Sequence, residues 1–189
     1  MKDIIGQILK DSASLKDRLA NDKDFIAKLD SIASALRSAL AQGGTIYLCG
    51  NGGSACDAMH FCEELVARFK RDRPGFRAMH FLDASTLTCW SNDYSFDEVF
   101  ERQAKTFCSS KDVLVAISTS GNSTNIIKAV NAAKELSCVT VALTGKDGGE
   151  LSKLTDHALI VPSDTTERIQ EVHITCIHIF CELLESETV

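Results

Sequence analysis

Residues 45–70 read TIYLCGNGGSACDAMHFCEELVARFK. Thr45, Ile46, Tyr47, Leu48 and Cys49 form an apolar, partly β-branched run that predicts a buried strand. Gly50, Asn51, Gly52 and Gly53 predict a turn, and a helical pattern begins at Ser54. A strand that passes through glycines into a helix presents unpaired backbone N–H groups at the positive end of the helix dipole, which suits an anion. Ser54 followed by Asp57 fits a shortened capping box. His60 and Glu64, four apart, fall on one helix face. The same pattern also fits a tight turn that binds nothing and a solvated His/Glu pair. It is neither G-x-G-x-x-G nor a P-loop, so nucleotide motifs do not apply.

Working outward, the remaining pattern alternates strands and helices. Before the central stretch, Ile4, Ile5, Ile8, Leu9, Leu15 and Leu19, then Phe25, Ile26, Leu29, Ile32, Leu36 and Leu40, recur at helical spacing. They predict two helices broken near Asn21–Asp22 and ended by Gln42-Gly43-Gly44. No strand precedes them, so residues 1–42 are assigned to an N-terminal helical extension and 43–189 to the main domain. After the stretch, FRAMHFL (76–82) predicts a strand, and helical potential runs over 83–93. Asn92-Asp93 is placed in the connection to a helix that starts at a second capping box, Ser95 with Glu98. VLVAI (113–117) is a continuous apolar run of the parallel-sheet kind and ends in Ser118-Thr119-Ser120-Gly121-Asn122-Ser123 before another helix. Hydroxyls and N–H groups around one glycine can hold phosphate without Lys or Arg; a Ser-rich turn with a cap is the plainer reading. VTVALT (139–144) and HALIV (157–161) supply two more strands, with His157 read as structural, and a last helix runs over about 166–184. The fold class is therefore α/β: a three-layer α/β/α sandwich with about five mostly parallel strands. Two anion-suited loops after two strands of one sheet strengthen each other, because ligands of open α/β sheets bind at the carboxyl ends of strands.

Composition sets the outer bounds. A formal net charge of −6 argues against a nucleic-acid groove as the main surface, and the longest apolar runs are strand-sized, so no membrane span is expected. The N-terminus has acids among its apolar residues and no signal-peptide core, which reads as a cytoplasmic protein. The cysteines contain no C-x-x-C spacing and mostly sit in apolar runs, as reduced, buried thiols do.

Five segments carry a resemblance: CGNGGSACDAMHFCEEL (49–65), SNDYSFDEVFERQ (91–103), ISTSGNSTNIIKA (117–129), LTGKDGGEL (143–151) and VPSDTTERIQEVHITCIHIFCEL (161–183). In residues, order and spacing they resemble the sugar isomerase (SIS) domain proteins, whose fold is flavodoxin-like, and more closely the phosphoheptose isomerases. That resemblance implies conversion of sedoheptulose 7-phosphate to D-glycero-D-manno-heptose 7-phosphate for bacterial heptose, lipopolysaccharide and other surface polysaccharides. It implies that Ser118, Thr119, Ser120 and Ser123 hold the phosphate, and that Asn51, Gly52, Gly53, Asn92 and Asp93 bind the sugar or shape the pocket. It further implies that His60, Glu64, Gln170 and His178 bind one zinc ion per subunit, with Glu64 and Gln170 also meeting substrate and Glu64 and His178 acting as the catalytic pair. The implied assembly is a homotetramer with active sites at subunit interfaces.

The residue types suit that chemistry. A ketose-to-aldose conversion needs a base over carbon and an acid serving the oxygens, roles open to Glu64 and His178. His and Glu are ordinary zinc ligands and Gln a weak one. Gln170 and His178 lie eight apart, about 12 Å along a helix, so one ion meets both more readily across a subunit boundary. Trp90 and Ser91 stand where the family commonly has small or aliphatic residues, which opens the choice of sugar. Two other readings of the same residues are an isomerase for another ketose phosphate and a non-catalytic SIS protein that binds the replication initiator; such binders lack the Glu and His present here. A sugar-phosphate sensor of transcription regulators would need a DNA-binding segment that the chain does not show.

Overall fold

The computed structural model describes residues 2–186. Five strands, β1 (Ile46–Gly50), β2 (Ala78–His80), β3 (Val113–Ser118), β4 (Val139–Gly145) and β5 (His157–Val161), form one sheet in the order β2-β1-β3-β4-β5. Every pair is parallel. This is the doubly wound arrangement of flavodoxin-like folds, and its order reverses between β1 and β3, where a crevice opens at the carboxyl ends of the strands.

Strand alternation splits the core in two. Ile46, Leu48, Val113, Val115, Ile117, Val141, Leu143, Leu159 and Val161 face one layer; Tyr47, Cys49, Leu114, Ala116 and Ala142 face the other. Over the first face lie α2 (Lys23–Ala41), α3 (Gly53–Val66) and α8 (Thr166–Ser186), with α1 (Lys2–Ala20) outside them. Over the second lie α5 (Val99–Phe107), α6 (Thr124–Glu135) and the short α7 (Leu151–Leu154). α4 (Ala84–Asp93) flanks the β2 edge and buries none of its residues fully. Helix α2 packs Leu29, Ile32, Ala33 and Leu36 directly into the sheet-facing core, whereas Ile4, Ile5, Ile8 and Leu9 of α1 are exposed.

Several local expectations are corrected. Ser54 does not cap α3: Gly52, at φ +54°, is the N-cap with no side-chain bond, and the helix begins one residue earlier, so Ser54 is buried in its first turn. The second capping box is partial. Ser95 Oγ accepts from the Asp97 N–H (3.1 Å) and caps a 3₁₀ turn over Phe96–Glu98, while Glu98 pairs with Lys128 at 3.2 Å. Asn92 and Asp93 close α4 rather than lying beyond it. The strand expected over 76–82 shrinks to Ala78–His80, because the Phe76 N–H is taken by the Leu65 carbonyl (2.9 Å) and the Leu82 N–H by His80 Nδ1 (3.3 Å).

Candidate active site

The turns after β1 and β3 are neighbours at the switch point, because β1 pairs with β3 through Gly50–Ile117. Asn51 in the first turn and Asn125 in the first turn of α6 exchange two amide hydrogen bonds, 2.9 and 3.0 Å. That pair locks the glycine turn to the serine turn. Asn125 is buried, and its one signal in the sequence is a polar residue on the inward face of a helix.

The serine turn gathers four hydroxyls around one glycine. Ser118, buried at the end of β3, lies 3.1 Å from Ser123 through their hydroxyls, and Ser123 makes no cap bond with its side chain. Ser120 and Thr119 are half-buried. Ser120 Oγ accepts from the Asn122 N–H at 3.2 Å. The turn is braced from behind by the end of β4 and the start of α7: the Gly145 N–H donates to the Thr119 carbonyl (3.1 Å), and the Leu151 N–H to that of Gly121 (3.0 Å). Gly121, at φ +67°, is required there, since a Cβ would sit 2.0 Å from the Gly148 carbonyl oxygen.

Gln170, near the start of α8, packs its amide against Gly53, where an added Cβ would fall 2.4 Å from Gln170 Nε2. Farther along the same two helices a second group forms. His60 Nε2 lies 3.2 Å from Glu64 Oε1, and the His60 and His178 rings meet edge-on at 5.3 Å. The ligand atoms of His60, Glu64 and His178 lie within 4.8 Å of one another. Gln170 is two helical turns from His178 on a regular helix, about 12 Å, so within one copy it stays with the glycine turn rather than joining the three.

Two imidazoles and a carboxylate at this spacing are a donor set that suits a divalent ion such as zinc. Asp57, one turn before His60, has one buried carboxylate oxygen without a hydrogen-bond partner. Burial pushes its carboxyl up to about 6, with His60 pulling the other way. Asn92 Nδ2 donates to Asp93 Oδ1 (2.9 Å) at the exposed end of α4, and Asp93 also accepts from Cys89. Trp90 stacks on Tyr94 at 4.2 Å under the Arg102 guanidinium, so its ring is committed to α4 and α5.

The other histidines have ordinary structural partners. His157 Nδ1 lies 3.1 Å from Ser31 Oγ, and His173 Nε2 3.0 Å from the Thr144 carbonyl. All the cysteines are free thiols, buried except Cys56 and Cys89. No helix among the described residues is long and apolar enough to cross a membrane.

Comparison with known proteins gives a consistent result. A SIS domain model matches residues 10–145. The chain is 44% identical over 187 residues to the phosphoheptose isomerase of Vibrio cholerae, with 98% of each chain covered. It is 48% identical over 160 residues to that of Helicobacter hepaticus, covering 84% of this chain and 82% of the relative. The solved phosphoheptose isomerase of Neisseria gonorrhoeae superposes with a TM-score of 0.92 at 38% identity, and that of Francisella tularensis with 0.91 at 35%; both cover 98% of each chain.

Proposed function

The chain belongs to the phosphoheptose isomerases of the SIS-domain family, and from that membership we propose that it converts sedoheptulose 7-phosphate to D-glycero-D-manno-heptose 7-phosphate. The observation that carries this reading is the convergence of His60, Glu64 and His178 on two helices that begin at, or pack against, the anion-suited turns. A protein that only bound a phosphosugar or another protein would need the turns but not that group.

In this reading Ser118, Thr119, Ser120 and Ser123 hold the phosphate while Asn51, Gly52, Gly53, Asn92, Asp93 and Gln170 hold or shape the space around the hydroxyls. The Glu64 carboxylate takes a proton from C1 and returns it to C2. His178 gives a proton to the carbonyl oxygen at C2 and removes one from the hydroxyl at C1, so the enediol collapses to the aldose with protons balanced. A zinc ion held by His60, Glu64 and His178 would polarise an oxygen of the sugar. Gln170 would complete that set from a neighbouring copy.

A homotetramer with interfacial sites follows the same line. The exposed Ile4, Ile5, Ile8 and Leu9 on α1 and the exposed Met59 and Ile179 beside the His/Glu group support it, since solvated helices seldom present such apolar sides. Bacterial surface-polysaccharide synthesis in the cytoplasm is the setting this product implies. The deciding experiment is a coupled assay of the purified protein on ketose phosphates of five, six and seven carbons, with chelator and after zinc is restored. Turnover of the seven-carbon substrate is expected, lost with chelator and regained with zinc. Turnover only of shorter sugars would reassign the substrate. Sedimentation showing a fully active monomer would reject the interfacial site.

A further inference from the structure

The segment joining α3 to β2 takes no part in the chemistry above, yet a buried ion pair ties it to α8. Arg73 Nε donates to Glu185 Oε1 at 3.0 Å, with the two side chains 4% and 2% exposed. The Glu185 carboxylate also accepts three consecutive backbone N–H groups, from Phe69 (3.2 Å), Lys70 (3.0 Å) and Arg71 (3.1 Å). The far edge of the Arg73 guanidinium donates to the carbonyls of Glu64 and Leu65, both at 2.9 Å, and its face covers the Phe76 ring. Burial works against charge on Glu185, but the amide N–H groups and Arg73 outweigh it and hold the carboxyl below its ordinary value.

A buried pair of this kind stabilises little more than well-packed apolar residues would; what it supplies is a fixed geometry. Here it ties the last turn of α3, which carries Glu64, to the last turn of α8, two turns beyond His178. Between them it pins the backbone of Phe69. The Phe69 ring stacks on His178 at 5.7 Å and 22°, while His60 meets His178 edge-on from another direction. His178 is only half-buried, so without that ring its imidazole has room to swing.

We propose that Phe69 is a positioning residue for His178, held by the Arg73–Glu185 clamp so that the imidazole faces His60 and Glu64. The proposal rests on His178 acting as proton carrier and metal ligand. Removing a hydrogen-bond partner that orients a ligating histidine commonly changes metal affinity or activity by about 10–100-fold, and a stacked ring that fixes the same imidazole acts on the same orientation.

The test uses the full chain with Phe69→Leu and Phe69→Tyr, reading kcat and KM in the isomerase assay and Co²⁺ affinity from the absorption of the bound ion. Phe69→Leu is expected to lower both kcat and Co²⁺ affinity by about 10–100-fold, with KM within about twofold and the thermal midpoint little changed; Phe69→Tyr is expected to restore both. Glu185→Gln should move the same readouts in the same direction, and if it fails to fold the Phe69 pair still decides. Wild-type kcat and Co²⁺ affinity in Phe69→Leu, or a Phe69→Tyr variant as impaired as Phe69→Leu, would overturn the proposal. Should the wild type isomerise no ketose phosphate, the proposed function fails and the cobalt titration alone judges the positioning role. A wild type that neither turns over nor binds cobalt overturns both.

Discussion

Asn51 and Asn125 hold each other through two reciprocal amide hydrogen bonds, 2.9 and 3.0 Å, across the point where the strand order reverses. One residue belongs to the glycine turn and the other to the helix that follows the serine turn. The glycine turn and the serine turn therefore share one rigid joint.

Asn125→Ala should loosen that joint. Asn51 loses both partners beside a buried position, which costs roughly 1–3 kcal/mol of stability. The misalignment should lower kcat/KM by about 10–100-fold, equivalent to roughly 1.4–2.7 kcal/mol of transition-state stabilisation. Steady-state kinetics and urea unfolding check both. An unchanged kcat/KM in a properly folded variant would show that the two turns keep their register without the pair.

Gly121→Ala addresses the brace behind the serine turn. The backbone there is left-handed at φ +67°, and the new methyl would meet the Gly148 carbonyl oxygen at 2.0 Å. Strain and collision together should cost about 2–4 kcal/mol. The thermal midpoint should fall by roughly 5–10 °C, and phosphosugar binding should weaken. A midpoint within a degree of wild type would mean that the β4–α7 loop moves aside freely.

How far the sequence could be read follows from which forces are local. β1, β3 and β4 were legible as continuous apolar runs because both faces of those strands are covered. β2, at the sheet edge, was overextended because the end of α3 and the His80 side chain claim the amides of Phe76 and Leu82. The cap of α3 was misplaced because Gly52 takes a positive φ and needs no side chain to begin the helix. His60 and Glu64 were paired by helical spacing alone. Spacing does not link His178 to them; family resemblance does, and in the structure the packing of α3 on α8 brings it there, with Phe61 stacked on Phe180. Asn125, Phe69, Arg73 and Glu185 went unseen because their partners lie far away in the chain; Arg73 and Glu185 are 112 residues apart.

Glu64→Gln separates chemistry from binding. The amide keeps size and shape but cannot take a proton from C1, so kcat should fall by roughly 10²–10⁴-fold. The serine turn is untouched, and calorimetry with sedoheptulose 7-phosphate should still record binding within a few-fold of wild type. Near wild-type turnover would remove Glu64 from the mechanism. Loss of binding together with turnover would instead give Glu64 a role in holding the substrate.

His173 sets an acid limit on the fold. It is fully buried between α8 and the sheet; Nε2 faces the Thr144 carbonyl at 3.0 Å, and Nδ1 is buried without a hydrogen-bond partner. Burial disfavours the imidazolium and pushes His173 down to about 4, against a weaker opposing pull from the Thr144 carbonyl. Between pH ~6.5 and ~4 the unfolded chain therefore binds a proton that the folded chain refuses. The stability linked to this residue is present in full above pH ~6.5 and is lost as pH falls, by about 2 kcal/mol at pH ~5. Asp57, raised to about 6, runs the opposite way, gaining stability as pH drops through the same window, so the wild-type curve alone will look shallow. His173→Gln keeps a donor for the Thr144 carbonyl and removes the titration, while Asp57 contributes equally to both proteins. Urea midpoints at pH 7 and pH 5 should consequently fall further for the wild type than for His173→Gln, and parallel losses in the two would show that the buried imidazole finds a way to accept its proton in the folded state.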